Sequence, residues 1–584
     1  MKSKAKTKNK EQASFIKNSF KNDFFFFAML SILCLILYWK PVSQAPILNF
    51  DDRSLLLPME KVHSLSDYTK LWADNAVLDL QPVRDLSYIL EYRISDIIGV
   101  KIHPQLINLI LWLIAIYLIY KIAILQGLSV VESKLAVTFI ALHPVAVNSI
   151  AWSASRKHIL SLLFISAATL LWLRFLSGNK KISFGAIFLY LLSCLSQPIN
   201  VGWFLWAGLI AKFSVATQGD SEERFKRAIP NLAMFGLIGL MTVAANLWYY
   251  ASDRYLDSLG TKFINEGFDV IGNRLLTFGR FFFQLLIPIR PSITSYDPTS
   301  PIAGVGILLL PLYCFLIWKL NKNKTPIYTW GLFTILPLLV VNGPSNHHFG
   351  WDTYLLTPLF GWTFLLVFTI KSLLERKILS EKSISILTLT LLSLFSIQTK
   401  ISSDAWQDDE TMWTRSVNTE RTQASLAGFV KTNLSLRKNI QEMWSFVNEL
   451  MERFPNHPDI GYLLGRLIFE DRQLSLKEKE SLFTKHNLQS PWFIYYRAAF
   501  DASQRNFAEA DNRLLALFTG DRKNAISHFK DKLPEILASW YAMCIFAGNE
   551  LCTGHVNEIR NPIPLSKWKE DEFQKRLLDF NLKF

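Results

Sequence analysis

Cysteine is scarce in this chain, with five in 584 residues, and none stand at the close spacing of a zinc site. Cys34, Cys194 and Cys314 fall inside apolar stretches, where a thiol serves as a small buried side chain. Only Cys544 and Cys552 lie near one another. A disulfide between them requires an oxidising compartment, and the alternative is Cys544 in a helix core with Cys552 as a free thiol. A P-loop, a GxSxG elbow, an HExxH helix and a dinucleotide fingerprint are all missing, which sets aside the reactions built on them. Internal symmetry, the mark of many transporters and a reason to consider a lipid or polysaccharide transporter or polymerase, is not evident either.

What the chain has instead is apolar length. Half its residues are hydrophobic, 14% are aromatic, and mean hydropathy is +0.21. Repeated apolar runs of about 17–22 residues match the helical length that crosses a bilayer core. Lys2, Lys4, Lys6, Lys8, Lys10, Lys17 and Lys21 precede the first run. No small-residue cleavage site follows it, so the expectation is an uncleaved first span with a cytosolic basic end. Spans are expected near 24–43, 104–125, 133–150, 158–177, 183–197, 199–216, 231–250, 302–319, 327–342, 354–370 and 383–399, about eleven in all. On that threading the basic groups at Lys180-Lys181, at Lys212 with Arg224, Lys226 and Arg227, at Lys319, Lys322 and Lys324, and at Lys371, Arg376, Lys377 and Lys382 all face the cytosol. The net charge of +14 then reflects loops beside anionic lipid, and nucleic acid is not an expected partner.

The expected fold is all-α, in three parts. Residues 1–22 form a basic cytosolic tail. Residues 23–400 form a polytopic helix bundle with a large outer loop at 44–103 and a segment at 251–301 that lies along the interface. In that segment Arg274, Phe278, Arg280 and Phe281-Phe282-Phe283 suit a helix with its aromatics in the acyl boundary. Residues 401–584 form an extramembrane helical domain. Leu464-Gly465 and Ala498-Ala499 stand 34 residues apart, each after a proline-led helix start at Pro458 or Pro491, with the cadence of tetratricopeptide units.

The outward ends of the spans collect polar residues. Asp51-Asp52 opens the first loop, and a carboxylate held beside a bilayer is suited to activating a hydroxyl against a lipid-borne substrate. The plainer reading is a solvated pair that caps the next helix. Arg156, Lys157 and His158 break the charge bias of the outer side and suit an anionic phosphate at the membrane surface, or lipid headgroups. Tyr296-Asp297 follows the interfacial segment on the same side. His347, His348 and Asp352 also lie outside; a divalent cation there is the less favoured reading, because the spacing is loose, and no metal ligand is assigned.

At this point the residues resemble a family. His143-Pro144-Val145-Ala146-Val147-Asn148-Ser149-Ile150-Ala151-Trp152 with Ser155-Arg156-Lys157 resembles the HPxHVExxAW…SxR segment of the transmembrane-and-tetratricopeptide O-mannosyltransferases, a GT-C class group that uses polyprenyl-phosphate sugars. Phe50-Asp51-Asp52 is similar to their first-loop acidic motif, Gln81-Pro82-Val83 with Tyr88 to their YRPL stretch, and His103 to Asn108 to their FHxxN entry. Ser196-Gln197-Pro198 resembles an SKP turn, and Asp352-Thr353-Tyr354-Leu355 with Pro358 an ERYLYLP run. The likeness spans nearly the whole chain in order. Where the pattern carries Arg, Glu and Lys this chain has Gln81, Asn148 and Gln197; Ala146 replaces a histidine and Thr353 an arginine.

The resemblance implies transfer of mannose or a related hexose from a polyprenyl phosphate to Ser or Thr hydroxyls of an exported polypeptide. Asp51 or Asp52, with Asp52 preferred, would be general base. Arg156 and Lys157 would meet the leaving phosphate, and His143, Tyr296, Asp297, Asp352 and Tyr354 would line the substrate site. The helical repeats would recruit the acceptor, and the lipid-linked sugar is the only cosubstrate implied. The lost ionisable groups motivate the alternative of a catalytically degenerate membrane-anchored scaffold. The favoured location is a bacterial inner membrane with the N-terminus cytoplasmic and the repeat domain periplasmic.

Overall fold

A computed structural model describes residues 22–44, 46–48, 51–73, 80–178, 183–213, 221–251, 272–288, 300–320, 325–341, 352–520, 532–560 and 570–579, with a few isolated positions between them. Among the described residues the chain is helical throughout, without strands. It divides into two compact units, Met1–Glu420 and Arg421–Phe584.

The first unit begins with α1 (Asn22–Leu37) and α2 (Trp39–Gln44). Three helices follow: α3 (Asp52–Glu60), α4 (Leu65–Ala73) and α5 (Pro82–Ile98). The apolar bundle is built from α6 (Pro104–Leu125), α7 (Val130–Leu142), the short α8 (Val147–Ala151), α9 (Arg156–Leu176), α10 (Phe184–Ser196), α11 (Trp203–Phe213) and α12 (Ser221–Ala251). It continues through α13 (272–286), α14 (Pro301–Leu320), α15 (Thr325–Val341), α16 (Leu356–Glu375) and α17 (Glu381–Asp404), and ends with α18 (Asp409–Thr419).

Among the described residues each of the eleven expected segments overlaps helix, but fewer of these helices are long enough to cross a membrane by themselves. Six helices among the described residues are long and apolar enough to cross a membrane, and seven if α7 and α8, bent by 51° at His143, form one broken span. The others, α1, α10, α11 and α15, are apolar helices of 17 residues or fewer. At 1.5 Å per residue each falls short of a hydrocarbon core about 30 Å thick. Apolar length in sequence overstated helix length because Tyr38, Gln197 and His143 interrupt the runs. The windows of α9 and α16 are 72% and 78% buried, which makes them central, whereas α14 and α17 are only 17% buried. Their outward Leu308, Trp318, Ile386 and Leu389 are apolar, as lipid-facing positions must be.

The described part of the 270–290 stretch, residues 272–288, does not lie with its aromatics outward. Phe281, Phe282 and Leu285 of α13 are buried, and Arg280 is buried with its guanidinium 3.3 Å from Glu420. A Cβ on Gly306 would stand 1.8 Å from the Gly279 carbonyl oxygen, so the crossing of α13 and α14 requires glycine. The division between units also falls later than residue 400. Trp406 stacks on Trp152 with ring centroids 5.8 Å apart and donates through Nε1 to Asn148 at 3.2 Å, which ties the end of α17 to the bundle.

In the second unit, helices Gln423–Ser435, Ile440–Arg453, Ile460–Glu470, Leu476–His486, Pro491–Ser503, Phe507–Gly520, Leu533–Phe546 and Glu550–Arg560 run in sequence, with Glu570–Asp579 closing the described chain. Helices 460–470 and 491–503 approach closely because a Cβ on Gly461 would meet Ser490 Oγ at 2.2 Å. Ala498, Leu514, Phe518, Leu537, Trp540 and Val556 form its apolar core. Cys544 and Cys552 are joined in a disulfide across the turn at Gly548, whose φ is +65°.

Candidate functional site

The polar residues of the first unit converge where α3 and α5 meet the start of α9. Asp52 is the first residue of α3 and is completely buried. Its Oδ2 accepts the Leu48 N–H at 3.0 Å and its Oδ1 accepts the Ala154 N–H at 2.9 Å. The single carboxylate therefore joins the chain before α3 to the turn before α9, 102 residues away. Two further side chains grip that turn. Tyr88 donates its hydroxyl to the Ser153 carbonyl, and Gln105 Nε2 donates to Ser153 Oγ at 2.6 Å and to the Pro46 carbonyl at 2.9 Å.

Arg156 begins α9, but its guanidinium turns inward. It is fully buried, pairs with Glu91, donates Nε to Asn108 Oδ1 at 2.8 Å and Nη2 to the Pro104 carbonyl at 3.2 Å, and lies 4.2 Å over the Tyr88 ring. The expectation that Arg156 waits at the surface for a phosphate is corrected: it is the interior cation of this cluster. A buried guanidinium is tolerated only when paired and hydrogen-bonded, and Glu91 meets that requirement. Arg84, also buried, is balanced by Asp85 at 2.8 Å.

Both arginines are thus matched by their own carboxylates, whereas Asp52 is held by neutral N–H donors. Burial pushes its carboxyl up from 3.8 to about 7, and the Leu48 and Ala154 N–H groups pull the other way. Asp51 adds a repulsion that raises it further; it is half-buried at the N-cap position of α3. Burial likewise raises Glu91, against the pull of Arg156.

The other expected site residues are distributed around this cluster. Lys157 is half-buried, and His158 is buried with its ring edge-on to half-buried Tyr354 at 5.1 Å. Asp352 is buried at the turn that leads into α16. His143 is buried at the bend between α7 and α8, where Nδ1 accepts the Val145 N–H at 3.4 Å and the ring packs on Phe139 and Phe395. In that position it caps the short turn. Tyr296, Asp297, His347 and His348 lie outside the described residues.

Positions where the resemblance expects charge prove to be neighbours. Gln81 Nε2 donates to Gln197 Oε1 at 2.6 Å across 116 residues, and Gln81 Oε1 accepts from Arg84 at 3.0 Å. Sequence reasoning missed Arg84, Asp85 and Glu91, and named Asn108 only as part of a motif. Its available signal was the spacing of Arg84, Tyr88 and Glu91 at i, i+4 and i+7, one face of α5. Comparison of the chain with family models, with curated proteins and with solved structures returns no match.

Proposed function

We propose that the protein is a membrane transferase that moves a sugar, mannose or a related hexose, from a polyprenyl phosphate to Ser or Thr hydroxyls of exported polypeptide. One observation carries this reading: a completely buried aspartate, Asp52, which accepts the Leu48 and Ala154 N–H groups and whose carboxyl burial pushes up to about 7. A carboxylate with that affinity takes a proton from a hydroxyl more readily than an ordinary surface aspartate does. Half-buried Asp51 stands beside it at the N-cap position of α3. Lys157, Asp352 and Tyr354 complete the site on this reading. The short helices α1, α10, α11 and α15 enter the bilayer with the six long ones and the bent pair, giving eleven membrane segments in a GT-C-like bundle. The paired helices of the second unit act as tetratricopeptide-like repeats that recruit the acceptor. The Cys544–Cys552 disulfide suits a periplasmic position for that unit in a bacterial inner membrane.

A second reading has its own observation. The Gln81–Gln197 amide pair is neutral where a phosphate site gathers charge, which favours a degenerate bundle that anchors a scaffold. Native mass spectrometry of the protein in nanodiscs with a short-chain polyprenyl-phosphate mannose separates the two. The transferase retains the donor lipid, and the retained mannose moves to a Ser/Thr peptide. Absence of donor binding in wild type supports the scaffold.

A further inference from the structure

The second unit holds a cluster that the transfer reading does not use. Asp511, Cys544 and Cys552 come from three successive helices, and their carboxylate and sulfur atoms all lie within 4.8 Å of one another. All three are buried. Asp511 Oδ1 accepts the Trp540 indole N–H at 2.9 Å, and Oδ2 lies 3.0 Å from His555 Nδ1. His555 is 29% exposed, so the cluster opens to solvent on its side. A structural disulfide needs no carboxylate beside it, and an aspartate in an apolar core is costly. Two sulfurs and a carboxylate are three of the donors that a tetrahedral zinc site uses, and the imidazole hydrogen-bonded to that carboxylate stands next to them.

We propose that Asp511, Cys544, Cys552 and His555 form a redox-gated site for Zn²⁺ or a similar thiophilic dication, closed in the disulfide state seen here and opened by thiol reductants. The steps balance. A dithiol reduces the Cys544–Cys552 bond to two thiols and leaves as its own disulfide. Zn²⁺ then binds both sulfurs and displaces their two protons, with Asp511 and His555 supplying oxygen and nitrogen. The Cα atoms of the two cysteines, 5.4 Å apart, already place both sulfurs on one ion without a change of fold. The C-x₇-C-x₂-H run gives little sign of this, because the Asp511 ligand comes from an earlier helix.

The test uses the full-length protein in detergent, titrated with Co²⁺ before and after phosphine reduction under metal-free conditions, then with Zn²⁺ as competitor. Expected are no site before reduction and one afterwards, with a thiolate-to-cobalt absorption band that Zn²⁺ abolishes. Cys552→Ser removes the site, while Asp511→Asn and, separately, His555→Gln each weaken it by about ten-fold or more. Helical circular dichroism of each sample shows whether it has kept its fold, and the exposed His555 gives a variant that spares the core. The same band in a Cys544→Ser/Cys552→Ser protein would assign it to Cys34, Cys194 or Cys314 and overturn the proposal. So would no cobalt binding by reduced wild type, or a loss of helix on reduction that Zn²⁺ does not restore.

Discussion

The two units differ in how far along the chain the partners of their buried polar groups lie. In the first, the decisive polar contacts join distant parts of the chain: Arg156 to Glu91 across 65 residues, Asp52 to Ala154 across 102, Gln81 to Gln197 across 116. In the second, buried Asp501 is met by Arg497 four residues before it and by Arg513 twelve residues after, and Asp471 accepts from Gln441 and Trp444 about one helical pair away. A helical array can satisfy its ions from the neighbouring helix. A bundle surrounded by apolar faces cannot borrow water, so its ions fix which helices meet.

The contrast is broken most severely at Arg156. Arg156→Met leaves Glu91 buried without its cation and costs the first unit about 3–5 kcal/mol, read as a large fall in thermal midpoint in detergent. The double variant Arg156→Met/Glu91→Leu recovers much of that loss if pairing, rather than the presence of charge, is what the bundle needs. A double variant no better than the single one would show that the guanidinium packing on Tyr88 matters more than the ion pair.

Next in size is the pH dependence of Asp52. Because burial raises its folded carboxyl from 3.8 to about 7, the folded protein keeps a proton across that window which the unfolded chain has released. The Asp52 contribution to stability is therefore most favourable below about pH 4 and declines as pH rises to about 7, beyond which its cost is constant, by something on the order of 2–4 kcal/mol. Asp52→Asn, which cannot ionise, flattens that decline. A thermal midpoint series across pH 4–8 on both proteins checks the difference, and equal slopes would refute the burial argument.

Smaller again is a break in the second unit. Gly461→Leu forces a side chain into Ser490 and costs about 1–3 kcal/mol. Limited proteolysis should show faster cleavage within 421–584 and unchanged fragments from the first unit. The smallest effect sharpens the contrast from outside: Lys226→Ala removes an exposed pair with Glu222 and should shift the midpoint by no more than about 0.5 kcal/mol in equivalent stability.

How much of this was legible from sequence differs between the same regions. Local signals read well. The apolar runs fell on helices, Pro82, Pro104 and Pro491 stand in the first turn of theirs, and Leu464-Gly465 marks a close helix contact. The acidic pair was singled out, yet its two members part company, Asp52 sealed and Asp51 half-buried, because the helix start turns adjacent residues to different sides. Arg156 was misread because a cation at the outer end of a span looks solvent-facing until Glu91 is known to lie beneath it. No pattern within α9 could reveal a partner on α5. The bend at His143 and the shortness of α10 and α11 were equally hidden, since hydropathy continues through a break that backbone geometry imposes.

The account rests on acid–base chemistry at the start of α3. The most direct measurement is glycopeptide mass spectrometry on exported proteins from cells carrying wild type or the Asp51→Asn/Asp52→Asn double variant, at matched levels in the membrane. The account predicts Ser/Thr-linked hexose masses that are present with wild type and lost with the variant. Identical glycopeptide maps from the two would contradict it and leave the bundle as an anchor.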